Sequence, residues 1–336
     1  MGLLASYRLR MQRRRLRLRA RLRQGELTTL HDNTNSIRPH DILLVCCLRN
    51  ERIRLPYFLE YYRKQGISHF LFIDNGSDDG SADYLQGQKD ISVWHTTASY
   101  KRARFGIDWV NWLLRRYGHG HWCLTVDVDE LFVYPFCDSR PLRALTDWLD
   151  TSGLRTFGSM MLDMYPKGRI DAHPYREGQD PLQIAAWFDA GNYTFKKNAS
   201  LGNLWIQGGP RARAFFRDEP AAAPALNKIA LVKWHRNYVY VSSTHMLLPR
   251  GLNLTYDESG GEKASGCLLH TKFIDTLTSK AEEEMRRGEH FASSREYLAY
   301  REGLRTHPDL WSNWSEQYIN WRQLEILGLM SKGNWA

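Results

Sequence analysis

Two hydrophobic rhythms alternate along the first half of the chain. Ile42–Leu48 is a short unbroken apolar run, which reads as a strand buried on both faces of a parallel sheet. Leu55–Gln65 follows with helical spacing and stops at Gly66. His69–Ile73 is a second apolar strand. It ends in Asp74-Asn75-Gly76-Ser77-Asp78-Asp79-Gly80, a segment dense in turn formers. Ser81–Leu85 starts a helix and Ile91–His95 reads as a third strand. Phe105–Tyr117 is helical, with Trp109, Trp112, Leu113 and Leu114 as core positions and Gly118 as its stop. Trp122–Val126 is a fourth strand, and it runs straight into Asp127-Val128-Asp129-Glu130.

Strands and helices alternating at this spacing predict an α/β fold with a mostly parallel central sheet and C-terminal helices. In open sheets of this kind ligands bind beyond the carboxyl ends of the strands. Three of the four strands end in polar, mostly acidic residues: Arg49-Asn50-Glu51, Asp74 and Asp127. Those ends are expected to converge on one crevice. After Pro135 the pattern is less regular. Thr156–Met164 and Tyr238–Leu248 read as strands, while Trp205–Arg213 and Gly260–Lys272 mix Gly, His and basic residues and suit loops around a site. The C-terminus turns helical. Ser279 with Glu282, and Ser293 with Glu296, match the capping-box pattern, and Asn313 with Glu316 is a similar start before Trp321–Leu327 and its stop, Gly328. The expected division is a basic tail over 1–30, a main α/β domain over 40–275 and a helical extension over 276–336 packed on it.

Charge separates the tail from the rest. The first 23 residues hold nine Arg and no Asp or Glu. Without those nine, the 46 basic residues fall to 37, equal to the 37 acidic ones. A uniformly basic nucleic-acid-binding face is therefore not implied, and no nucleic-acid partner is expected. Placed on a helix, Leu3, Leu4, Tyr7, Met11, Leu18 and Leu22 fall on one stripe about 100° wide, with arginines over most of the remainder. Such a helix is expected to lie in an anionic membrane interface through residues 1–23. No apolar run of membrane-spanning length occurs, nor an apolar signal-peptide core. The five cysteines show no CxxC pair and no framework spacing, as fits a reducing compartment. The expected location is cytoplasmic, peripheral at the inner face of a bacterial membrane.

Asp127 and Asp129, two apart just past a strand, point to one side of an extended chain. Carboxylates so placed repel, and a divalent cation such as Mn²⁺ or Mg²⁺ relieves the repulsion. An acidic knot between two apolar runs is hard to explain as mere solubility. A cation there would bridge a diphosphate and stabilise it as a leaving group. Glu130 is expected to orient the turn. Asp74 suits either a base or ribose contact or an Asx-turn, and Asn50-Glu51 the floor of the same pocket.

These residues also carry a family resemblance. Leu48-Arg49-Asn50-Glu51, Pro56-Tyr57-Phe58-Leu59-Glu60-Tyr61-Tyr62, Gly66 and Asp74–Gly80 resemble the start of a family-2-like glycosyltransferase with the GT-A fold. The likeness is greatest to a bacterial branch linked to surface-polysaccharide synthesis. It continues through Leu162-Asp163-Met164-Tyr165-Pro166, Gly208-Gly209-Pro210-Arg211-Ala212-Arg213 and Leu268-Leu269-His270-Thr271-Lys272-Phe273. The resemblance implies an inverting enzyme with a nucleoside-diphosphate sugar as donor and a glycan or lipid-linked acceptor. It implies Asn50, Glu51, Asp74 and Asp127 on the nucleotide, with Asp127, Asp129 and a late histidine on the metal. His270 is the first candidate and His245 the competitor. Arg211, Arg213 and Lys272 are candidates for neutralising the diphosphate. Asp163, Asp218 and Glu219 are candidates for the base that takes the acceptor proton. Twelve Trp and 17 Tyr suit stacking on sugars, with Trp187, Trp205 and Trp234 as acceptor-site candidates. A QxxRW-like stretch is missing, so processive synthesis is not expected. The same acids would also serve a nucleotidyl- or phosphotransferase, and a nucleic-acid-binding protein driven by the Arg-rich tail is the other alternative, against which the neutral remainder argues.

Overall fold

The computed structural model describes residues 2–256, 263–277, 280, 283 and 309–335. Its centre is a nine-stranded sheet. In chain order the strands are β1 (Thr28–His31), β2 (Ile42–Leu48), β3 (His69–Asp74), β4 (Ile91–His95), β5 (Trp122–Thr125), β6 (Glu130–Val133), β7 (Thr156–Asp163), β8 (Asn227–Lys233) and β9 (Ser265–His270). Their spatial order is β1-β4-β3-β2-β5-β8-β7-β9-β6. Strands β2, β3, β4, β5, β7 and β9 run one way and β1, β6 and β8 the other. The sheet is thus mixed in its pairings and mostly parallel in direction, as the α/β reading expects.

Alternation along the strands splits the core in two. Ile42, Leu44, Cys46 and Leu48 face one side with Phe70 and Phe72, while Leu43 and Val45 face the other with Leu71 and Ile73. Helices α2 (Leu55–Gln65) and α5 (Leu142–Thr151) cover the first side; α4 (Ile107–Tyr117) covers the second with Trp109, Val110, Leu113 and Leu114. The short α3 (Ser81–Gln86) packs beside β4. Helix α2 has Pro56 in its first turn and ends where Gly66 turns left-handed at φ 96°.

The tail is helical, as expected: α1 spans Leu3–Arg23. It is docked outside α4, burying Leu16 and Ala20, and the six residues of the expected stripe stay exposed. No helix among the described residues is long and apolar enough to cross a membrane. All five cysteines are free thiols.

Three segments differ from expectation. Gly260–Lys272, expected as a loop, contains β9, whose Cys267-Leu268-Leu269 core is buried between β7 and β6. Trp205–Arg213 is not a loop either: Leu204–Gly208 pairs with Tyr193–Lys197, and α6 (Gly209–Phe215) follows. Tyr238–Leu248 is a hairpin of Val239–Ser242 and Met246–Leu248, turned at Ser243 with φ 41°. Near the C-terminus, Ser315–Gln317 is a strand paired with Trp187–Asp189. The cap of α7 (Trp321–Ile326) is therefore Asn320, whose Oδ1 accepts from the N–H groups of Arg322 and Gln323 at 3.0 and 3.3 Å, and not Asn313. The capping boxes at Ser279 and Ser293 lie outside the described residues.

Candidate functional site

Strand direction decides which residues meet. The carboxyl ends of β2, β3, β5, β7 and β9 share one edge of the sheet with the amino end of the reversed strand β8. In register, His270 at the end of β9 lies beside Asp163 of β7 on one side and Glu130 of β6 on the other. Asp127, Asp129, Glu130, Asp163, Lys228 and His270 are gathered in this way from four separate parts of the chain.

His270 is held at both ring nitrogens. Its Nδ1 is 2.7 Å from Asp163 Oδ1 and its Nε2 is 3.3 Å from Asp129 Oδ2. Burial disfavours the charged imidazole, but Asp129 and Asp163 outweigh it and hold His270 above its usual pKa. Arg211 forks onto Asp163 with Nε and Nη2, each at 2.7 Å. Burial would raise the Asp163 carboxyl; Arg211 and His270 bring it down to about 2. The same contest at Asp129 ends well below the usual carboxylate range, with His270 first and Arg54 and Lys280 beyond it overcoming burial.

Asp127 behaves differently. Its side chain stays exposed and lines a small cavity with Cys47, Tyr100, Phe105 and Lys228. The protein packed around it, then the Glu130 carboxylate, push Asp127 up to about 7 against the pull of Lys228. Glu130 is buried and orients the turn: its Oε2 accepts from the Asp127 N–H at 3.1 Å while Oε1 lies 3.0 Å from Lys228 Nζ. Thr271 closes the other side, donating to the Asp129 carbonyl from N–H at 2.8 Å and from Oγ1 at 3.0 Å.

Gly106 shapes the cavity wall. It sits at φ +74°, and a Cβ there would meet Cys47 Sγ and Tyr100 Cε2, both at 2.9 Å. Arg104 and Phe105 before it are also left-handed, at φ 52° and 58°.

Asp74 is fully buried; its carboxylate accepts from the Ser77 N–H at 3.3 and 3.2 Å and lies 2.7 Å from His95 Nδ1. It closes its own turn, the alternative to a nucleotide contact. Asn50 holds that turn from below, with Oδ1 3.0 Å from the Asp78 N–H, and its Nδ2 donates to Glu283 at 3.0 and 3.1 Å. Glu51 pairs with Lys280 and lies 3.7 Å from Arg54. Burial is the main cause that raises the Glu51 pKa, with Asp129 adding to it and Lys280 and Arg54 opposing.

Two of the candidate cations are already engaged by carboxylates. Arg211 is buried on Asp163, and Arg213 binds Asp189 at 2.8 and 2.9 Å. Asp163 itself, with both oxygens engaged and its pKa near 2, has neither reach nor basicity for an acceptor hydroxyl. It positions His270 instead. Asp218 and Glu219 sit exposed just past α6, and Lys272 is half-buried two residues beyond His270. His245 contacts the Asn227 carbonyl at 2.6 Å, and burial, then Lys228, lower its pKa to about 3. It lies beside β8, and its partner is this carbonyl. Trp234 is buried in the core under α4; Trp187 faces Trp311 edge-on at 6.1 Å, with Lys167 4.4 Å above the Trp311 ring.

Lys228 escaped the sequence reading. Its signal is a single cation heading the apolar run Ile229-Ala230-Leu231-Val232.

Among the described residues, no three or more His, Cys, Asp or Glu side chains are already gathered around one point as a metal ion needs. The chemistry of the donors still suits a cation. Asp127 and Glu130 are crowded like charges, and His270 has one nitrogen fixed by a carboxylate while the other faces Asp129. Carboxylate–histidine pairing of that kind orients metal-binding imidazoles.

No family model matches this sequence, and no curated protein does. One solved structure that it matches is the crystal structure of 4-diphosphocytidyl-2C-methyl-D-erythritol synthase, at 13% identity. That match covers 42% of this chain and 66% of that one, just under two thirds, with a TM-score of 0.25. A likeness so slight carries nothing about activity.

Proposed function

We propose that this protein is a metal-dependent glycosyltransferase that uses a nucleoside-diphosphate sugar. The observation that supports it is the grouping of exposed Asp127 with the Asp129–His270–Asp163 chain at the carboxyl edge of a mostly parallel sheet. Asp127, Asp129 and Nε2 of His270 are the groups that would hold Mn²⁺ or Mg²⁺, which when bound supplies counter-charge to a diphosphate leaving group.

The chain's own residues prepare that site. Arg211 keeps Asp163 ionised, Asp163 fixes the His270 ring, and Glu130 clamps the Asp127 backbone. Asn50 and Glu51 border the nucleoside side. In the transfer, an acceptor hydroxyl oxygen bonds to the anomeric carbon as the carbon–oxygen bond to the diphosphate breaks. The hydroxyl proton passes to a base, for which Asp218 and Glu219 are the expected carboxylates that remain exposed. The acceptor is proposed to be a glycan or a lipid-linked sugar, flanked by Trp187 and Lys167.

Calorimetric titration of a nucleoside diphosphate with and without Mn²⁺ tests the reading. Binding should require the metal, and Asp127→Asn with Asp129→Asn should weaken it at least tenfold. A labelled sugar donor should release free nucleoside diphosphate. Release of pyrophosphate would replace glycosyl transfer with nucleotidyl transfer, and metal-independent binding would remove the metal site.

A further inference from the structure

Helix α1 carries apolar residues on two opposite sides. At about 100° per residue, Leu9, Leu16 and Ala20 lie together on one side, half a turn from Leu3, Leu4, Tyr7, Met11, Leu18 and Leu22. The inner side is taken. Leu16 packs with Leu201, Val239 and Leu248, Leu9 lies against them, and Ala20 is buried. Arg19 locks the helix to α4 through the buried Asp108 at 2.6 Å, and Trp109 and Trp112 donate to Glu26 and Gln24 just past its end, at 2.9 and 2.6 Å. The outer side is left over: its six large apolar residues are 41 to 92% exposed.

Arginines border that outer stripe. Arg8 and Arg15 fall on one flank and Arg10, Arg14 and Arg21 on the other, all exposed. Among the described residues none of these five has an acidic partner. A second bank of cations lies behind them. Arg17 is held below its usual pKa by burial and then by Arg115, Arg13, Arg14 and Arg236 around it. Among the described residues nothing neutralises this charge, and nothing covers the stripe.

We propose that the outer face of α1 seats this protein on an anionic lipid bilayer, the apolar stripe entering the headgroup boundary and the flanking arginines meeting lipid phosphates. Each half of the surface selects against another partner. Nucleic acid would satisfy the arginines and leave six large apolar side chains exposed. A second copy would cover the apolar stripe and bring the two sets of arginines against each other. Only a bilayer with acidic headgroups answers both halves, whatever reaction the protein catalyses.

The test is co-sedimentation of the full chain with vesicles of phosphatidylglycerol and phosphatidylcholine, and with vesicles of phosphatidylcholine alone. Binding should be at least tenfold stronger to the mixed vesicles. Leu18→Ser with Leu22→Ser, and separately Arg14→Gln with Arg21→Gln, should each weaken it at least tenfold with circular dichroism unchanged. All four positions are exposed, so the fold does not rest on them. The proposal is overturned if the wild-type chain fails to sediment with acidic vesicles. It is also overturned if the leucine variant binds as wild type, which would leave charge alone, or if the stripe instead supports a dimer in sedimentation velocity with no lipid bound.

Discussion

Replacing Arg211 by Met strips the buried Asp163 carboxylate of its main counter-charge while keeping much of the side-chain volume. Arg211 is 3% exposed and makes two bonds of 2.7 Å to Asp163. Removing one partner of such a pair costs about 3–5 kcal/mol, because the other charge stays buried. His270 remains beside Asp163, so the lower end is expected, about 3 kcal/mol. For 336 residues the unfolding entropy is about 0.7 kcal/mol/K, so the midpoint should fall by about 4 °C. The second variant, Arg211→Met with Asp163→Leu, removes both charges. Apolar replacement of a whole buried pair is often neutral, but here it leaves His270 Nδ1 without its acceptor, at about 1–3 kcal/mol. The double variant should therefore unfold no lower than the single one. Thermal unfolding followed by circular dichroism at neutral pH reads both. A single variant within 1 °C of wild type, or a double variant well below the single, would refute the claim that Arg211 serves chiefly to neutralise Asp163.

Gly106→Ala should cost about 2–3 kcal/mol, combining a left-handed backbone with overpacking against Cys47 and Tyr100. A midpoint lower by about 3–4 °C is expected, with partial recovery when Cys47→Ala is added; an unchanged midpoint would mean that the cavity wall yields freely. His245 gives a pH signature. Its folded pKa, about 3, lies below the unfolded value of about 6.5, so the unfolded chain binds the extra proton between them. Its contribution is complete above pH 6.5 and is lost as pH falls, reaching about 2 kcal/mol at pH 5. His245→Gln should flatten the fall in stability from pH 7 to pH 5 relative to wild type. Parallel curves for the two proteins would exclude His245 as the source.

The first half of the fold was legible because its signals are local. Leu55–Gln65 is bounded by Pro56 and Gly66, and the strands before Asp127 are continuous apolar runs whose ends are marked by turn formers. The same locality brought Asp127 and Asp129 into view. The remainder depends on partners far apart in sequence. Asp163, Arg211 and His270 were each singled out, yet their mutual contacts arise only because β9 lies along β7, and no local pattern states that pairing. That pairing removed Asp163 and Arg211 from the roles of base and diphosphate clamp. Strand β9 was hidden by Gly266 and His270, residues that read as loop until the strand is seen buried between two neighbours. Lys228 was overlooked because a lysine heading an apolar run is ordinary surface chemistry unless a buried carboxylate such as Glu130 faces it.

The reversed strand β8 has a consequence for synthesis. It lies between β5 and β7, although both of those strands precede it in the chain. A nascent chain that has emerged through Asp163 therefore holds a five-stranded fragment with a bare β5 edge, and a β7 that has no sheet partner yet. Asn227–Lys233 must thread between them before backbone pairing is complete, and β9 must then arrive to join β7 to β6. Until that moment the Trp122–Thr125 edge offers unpaired amides and carbonyls to any neighbouring chain. Asp127, Asp129 and Asp163 are also translated ahead of Arg211, Lys228 and His270, the cations that neutralise them. Assembly of this centre is thus a late, concerted event, and the interval before it is when the protein is most exposed to misassembly.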